Sequence, residues 1–179
     1  MLLAGSGAPA DAGRLSAVKR WLVAGAVIEG AEGVLLVANR RHDGAVDWST
    51  PGGVIDEGED VMAGLAREVH EETGLVVAGW DGLLYGIEVT APDLGWHLRV
   101  EVHRAAAVEG DLTLADPDGI VFDAGYVAVG ECDERLAQSQ RWVREPLSAW
   151  LGQRWTSARD FRYHVAGTDH ASLTVSSVP

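Results

Sequence analysis

Apolar residues run almost unbroken through positions 21–28, a pattern that suits a strand buried on both faces. Turn-forming residues fill 29–33 and another apolar run covers 34–37, so the two runs are expected to pair as a hairpin. The period then changes. Val61, Met62, Leu65, Ala66 and Val69 recur at intervals of three and four with no intervening proline, which predicts a helix, and Gly74 is placed to close it in the left-handed conformation. Residues 75–80, 83–90 and 98–107 read as strands separated by Asp81-Gly82 and by the segment 91–95. In the last of these the alternation turns Leu98, Val100 and Val102 inward and Arg99, Glu101 and His103 outward. A further strand is expected over 120–129 and helices over 131–140 and 142–151, with Pro146 near the first turn of the second. A mixed β-sheet between helices, an α/β sandwich of α/β/α type, accommodates these elements.

The length of 179 residues with 47% hydrophobic content supports one core and one domain, placed at 18–152. Residues 1–17 are rich in alanine and glycine and read as a flexible arm, since neither a charged leader nor a sustained apolar segment is present. The segment 153–179 reads as partly ordered, with a strand available at 172–175. The net charge of −13 disfavours a polymeric nucleic acid partner, which needs clustered cations. It leaves room for a small phosphate ester whose charge a divalent cation balances. Cys132 is the only cysteine, so no intrachain disulfide forms, as fits a reducing cytoplasmic setting.

Chemistry enters with the charges on the predicted helix. At about 100° per residue, Glu68, Glu71 and Glu72 share one arc of roughly 100° beside the apolar stripe. Like charges three and four residues apart repel, and in the last turns they face the negative end of the helix dipole. A bound divalent cation reverses both effects, and carboxylates suit Mg²⁺ or Mn²⁺. A solvated acidic face is the plainer reading of such a cluster by itself.

The flanking residues favour the metal reading. Gly53, Glu59 and the run Arg67-Glu68-Val69-His70-Glu71-Glu72-Thr73-Gly74-Leu75 resemble a complete Nudix box, and Trp48-Ser49-Thr50-Pro51-Gly52-Gly53 is similar to that family's approach to it. The resemblance implies the Nudix fold and metal-dependent hydrolysis of the pyrophosphate bond of a nucleoside diphosphate linked to another moiety. Glu68, Glu71 and Glu72 would hold Mg²⁺ or Mn²⁺ together with the Gly52 carbonyl, and Arg67 would pair with Glu59 to fix the loop over the helix. Catalysis would rest on Glu68, Glu71, Glu72 and Arg67. An ADP-ribose-like substrate is favoured, with nucleoside triphosphate as rival and a non-catalytic nucleotide sensor as the competing class; the full set of box carboxylates argues against the sensor. The partner is then a small-molecule nucleotide, with no membrane, and a homodimer stays open.

Outside the box, Arg40 and Arg41 offer forked donors for a substrate phosphate, and Trp48 a ring for a base. Trp80, Tyr85 and Trp96 are further stacking candidates. Asp123, ahead of Tyr126-Val127, resembles the acidic residue with which some Nudix members supply a ligand or base from another loop. His70 is expected to face solvent.

Overall fold

The computed structural model describes residues 18–41, 44–114, 116–117, 119–169 and 172–179; the arm at 1–17 lies outside them. Strands β1 (Lys19–Val27), β2 (Glu29–Gly30), β3 (Gly33–Arg40), β4 (Val46–Ser49) and β5 (Gly52–Val54) precede helix α1 (Val61–Thr73). Two long strands follow, β6 (Val76–Ala91) and β7 (Trp96–Glu109), joined through a 3₁₀ turn at Pro92–Leu94. Then come β8 (Val121–Val127), the short helix α2 (Cys132–Arg135), helix α3 (Arg141–Gln153), and a final pair, β9 (Arg159–Ala166) and β10 (Thr174–Val178).

The strands form two sheets rather than one. The first runs β10-β9-β6-β7-β1-β5, with β1 parallel to β7 and β6 parallel to β9. In the second, β3 pairs with β8 along one edge and with β2 and β4 along the other. The expected hairpin therefore shrinks to β2 and β3, with Glu29 opposite Val34, because the chain crosses from one sheet to the other at Ile28. Strand β1 buries both faces, as its uniform apolarity requires: Val23 and Val27 join a core beneath α3, while Ala24 and Ala26 join Leu65 and Val69 beneath α1.

Other boundaries moved for local reasons. Residues 76–91 form a single strand, since Gly82 (φ 110°) and a series of register shifts absorb the irregularity as bulges instead of breaking the pairing. His103 is buried, not outward: it sits on the α1 side of the sheet against Trp80, where the helix layer covers the strand. The helix expected over 131–140 is only α2, preceded by a 3₁₀ turn at Val129–Glu131. Pro146 lies inside α3, where its missing N–H leaves the Trp142 carbonyl without its usual helical donor. The C-terminal hairpin β9–β10 extends the sheet, which the sequence pattern suggested only at 172–175.

Candidate active site

Helix α1 begins where Asp60 caps it, its carboxylate accepting from the N–H groups of Met62 and Ala63 at 3.1 and 3.0 Å. It ends at Gly74, whose φ of 71° gives the left-handed cap, and an added Cβ there would lie 2.0 Å from the Thr113 hydroxyl oxygen. Between these ends the apolar stripe packs Leu65 and Val69 into the core, and this fixes the azimuth of the carboxylates. Glu68 and Glu72 are thereby laid against strand β5.

That contact is close. A Cβ on Gly53 would lie 2.3 Å from a Glu68 carboxylate oxygen, so only glycine leaves room for the carboxylate. One residue earlier, the Gly52 N–H donates to the Glu72 carboxylate at 2.8 Å. Glu72 is 8% exposed. Its pKa is pushed up to about 8, first by burial, then by the charges of Glu68 and Asp116, with the Gly52 N–H acting the other way. Burial thus outweighs the hydrogen bond that favours the charged form of Glu72.

Arg67 organises the rest. Its guanidinium donates through two nitrogens to Glu59, at 3.1 Å each, and through the third to Glu68 at 2.8 Å and Glu71 at 3.1 Å. The Glu59 pairing is the one the box resemblance implied. Glu59 foremost, and then Glu68, hold the guanidinium charged well above its ordinary pKa, and Arg67 in return lowers that of Glu59. Glu71 is the more exposed acid, at 37% of its side chain.

Among the described residues, no three His, Cys, Asp or Glu side chains stand converged as ready metal ligands. Arg67 accounts for this, since it bridges two of the carboxylates that an ion would draw together. The donor set nevertheless fits a hard divalent cation: anionic oxygens, a cradle over Gly53 that a Cβ would fill, and a buried Glu72 carboxylate beside it. Gly53→Ala tests the cradle directly. The fold is expected to stay within about 1 kcal/mol, because the clash falls on the flexible end of Glu68, while Mn²⁺ affinity by titration calorimetry drops about tenfold.

The other candidates divide. Arg41 is tied to Asp47, and the Arg40 guanidinium lies 4.7 Å from the Phe122 ring centroid. Trp48 is half-buried under the Arg135 guanidinium, and its backbone is pinned by the Ser139 hydroxyl, which donates to the Trp48 carbonyl at 2.6 Å. Tyr85 is fully buried, so its ring is closed to a base, while Trp80 is partly buried with its ring edge-on to His103. His70 and Asp123 are exposed, and Asp123 stands opposite Ala38 in the second sheet. The acid outside the box whose charge reaches Glu72 is Asp116 instead.

Trp96 belongs to a cluster of three tryptophans. Trp21 meets it edge-on at 6.3 Å and Trp142 at 6.5 Å, and all three rings are partly buried against the α3-side core. Trp21 and Trp142 read in the sequence as members of a strand and a helix. Their meeting depends on the parallel pairing of β1 with β7, which no local signal announces.

A family model described as NUDIX domain matches residues 19–151. The chain is 34% identical over 119 residues to the putative 8-oxo-dGTP diphosphatase 2 of Mycobacterium tuberculosis, a match covering 60% of this chain and 84% of that protein. It is 47% identical over 53 residues to the nucleoside diphosphate-linked moiety X motif 6 protein of Xenopus laevis, covering 30% of this chain and only 24% of that longer relative. Among solved structures, the MutT NUDIX hydrolase from Burkholderia pseudomallei superposes with a TM-score of 0.60 at 27% identity, over 72% of this chain and 96% of that one. The chain belongs to the Nudix family, and its α/β fold is the Nudix fold. Within that family it is a pyrophosphohydrolase.

Proposed function

We propose that the protein hydrolyses the pyrophosphate bond of a nucleoside triphosphate, with a divalent cation, Mg²⁺ or Mn²⁺, held by Glu68, Glu71, Glu72 and the Gly52 carbonyl. The observation that carries this is the paired seating of Glu68 and Glu72 on the Gly52-Gly53 strand, where a Cβ on Gly53 would fall 2.3 Å from a Glu68 oxygen and the Gly52 N–H donates to Glu72.

The ADP-ribose-like preference drawn from the sequence gives way here to its rival. The mycobacterial relative, matched over most of its length, is named for a nucleoside triphosphate substrate. The acidic balance of the chain counts against a polymeric RNA substrate. No helix among the described residues is long and apolar enough to cross a membrane.

The bound cation would supply positive charge to the diphosphate oxygens and acidify the attacking water. The chain's own residues do the rest. A carboxylate of the cluster accepts the water's proton, and Arg67 holds Glu68 and Glu71 in register. The test is a panel of nucleoside triphosphates and nucleoside diphosphate-linked compounds with Mg²⁺ or Mn²⁺, with products identified by mass. Release of nucleoside monophosphate and pyrophosphate from triphosphates is the expected result. Turnover confined to diphosphate-linked sugars would overturn the substrate reading.

A further inference from the structure

Among the described residues β4 pairs with β3 alone, so the backbone groups along its other edge need partners from elsewhere. Trp48 turns both of its groups toward that edge. Its N–H donates to the Ser139 hydroxyl oxygen at 3.1 Å, and the same hydroxyl donates to the Trp48 carbonyl at 2.6 Å. One side chain thus stands in for a further strand, in which a paired residue would likewise exchange two bonds. Ser139 comes from the segment between α2 and α3 and is 8% exposed, so losing its hydroxyl would leave two backbone groups poorly placed to find water.

The chain runs from Trp48 straight into the site. Ser49 closes β4, its hydroxyl accepting from the buried Asn39 amide at 3.0 Å. Thr50 and Pro51 then carry the chain from the second sheet to the first, where the Ala26 N–H donates to the Pro51 carbonyl at 2.8 Å and Gly52 pairs with Gly25. Gly52 has a φ of 143°, and an added Cβ would lie 2.1 Å from the Ala24 carbonyl oxygen. With no side chain to pack, the direction of its peptide groups is set by what grips the chain on either side. On one side are β1 and the Glu72 carboxylate. On the other is a strand whose outer edge rests on Ser139.

We infer that Ser139 is a positioning residue for the metal centre: by holding β4 at Trp48 it fixes the direction from which Thr50-Pro51 delivers the Gly52 peptide beside Glu72. This rests on the reading of the Gly52 carbonyl as a ligand. The Ser139 hydroxyl acts through Trp48, so its loss is expected to reach the site as a loosened Gly52. A second hydroxyl separates this role from the packing of the helices. Ser148 ties α3 to Asp133 of α2 and has no bond to Trp48, so Ser148→Ala loosens the same corner of the fold without freeing β4.

The experiment compares Ser139→Ala, Ser139→Thr and Ser148→Ala in the full chain. It reads amide hydrogen exchange at Gly52 in the metal-free protein, Mn²⁺ affinity by titration calorimetry, and kcat and KM for a nucleoside triphosphate. Expected in Ser139→Ala are exchange about tenfold faster, Mn²⁺ bound about tenfold more weakly, and kcat about tenfold lower with KM within about twofold. Ser139→Thr, which keeps the hydroxyl, and Ser148→Ala are expected to stay within about twofold of the wild type in exchange and affinity. A folded Ser139→Ala with wild-type exchange and Mn²⁺ affinity overturns the inference and leaves the metal centre standing. So does a Ser148→Ala with the same losses, since the cause would then be the loosened helices. Faster exchange without a change in Mn²⁺ affinity shows that Gly52 is no ligand, and removes the inference together with that part of the proposed site. A wild type that binds no Mn²⁺ removes the metal reading itself and the role of Ser139 with it. Should Ser139→Ala melt below the assay temperature, Ser139→Cys, which keeps the volume and weakens both bonds, decides by the same readouts.

Discussion

In Glu72→Gln, hydrolysis is expected to fall by at least about 10²-fold while the metal-free protein becomes more stable than the wild type at pH 8. The two effects have one origin. Burial, reinforced by Glu68 and Asp116, raises the Glu72 pKa to about 8, well above the ordinary carboxylate range, so the fold favours the protonated acid. Its stabilising contribution is fully present below about pH 4.5 and is lost as pH rises through 8, which makes the ionised side chain a liability of several kcal/mol at order of magnitude. Glutamine keeps an acceptor for the Gly52 N–H and carries no charge, so it escapes that loss. Denaturation of chelator-treated protein from pH 4.5 to 8.5 is expected to show a falling midpoint for the wild type and a flatter line for the variant. Mn²⁺ should restore the wild type far more than the variant. Parallel pH profiles in the two proteins would refute the account.

Much of the site was legible in the sequence because its signals are local. The spacing of Val61, Leu65 and Val69 sets the helix face, Gly74 ends it, and box residues a few positions apart reach the same strand through one short loop. What stayed hidden depends on chain crossings. His103 alternates as an outward residue, yet α1 covers that part of the sheet, so alternation alone misassigned it. Trp80 and Tyr85 fell in expected strands and Trp96 just ahead of one, with nothing local to rank the three. Only the tertiary packing separates a buried Tyr85 from a Trp96 that meets Trp21 and Trp142. Asp116 adds a small charge effect at Glu72 that no sequence pattern marks, while Asp123 lies exposed opposite Ala38.

The same electrostatic reasoning predicts opposite changes in metal affinity and turnover when Arg67 is replaced. In Arg67→Ala, Glu59, Glu68 and Glu71 lose their shared cation, and the fork that spans Glu59 at two points cannot be rebuilt by lysine. The cost in stability is modest, about 1 kcal/mol, because the guanidinium is 35% exposed and solvent screens the pairs. Removing a positive charge from beside Glu68 and Glu71 also removes the competitor that bridges them, so Mn²⁺ is expected to bind about tenfold more tightly by calorimetry. Turnover is expected to fall about ten- to a hundredfold all the same, since the carboxylates are no longer held in register and the loop before α1 loses its anchor to the helix. Arg67→Lys should recover the weaker metal binding but little of the rate. If Arg67→Ala bound Mn²⁺ more weakly and lost activity only in proportion, saturating metal would rescue it, and Arg67 would be an accessory to metal retention rather than the residue that holds Glu68 and Glu71 in register.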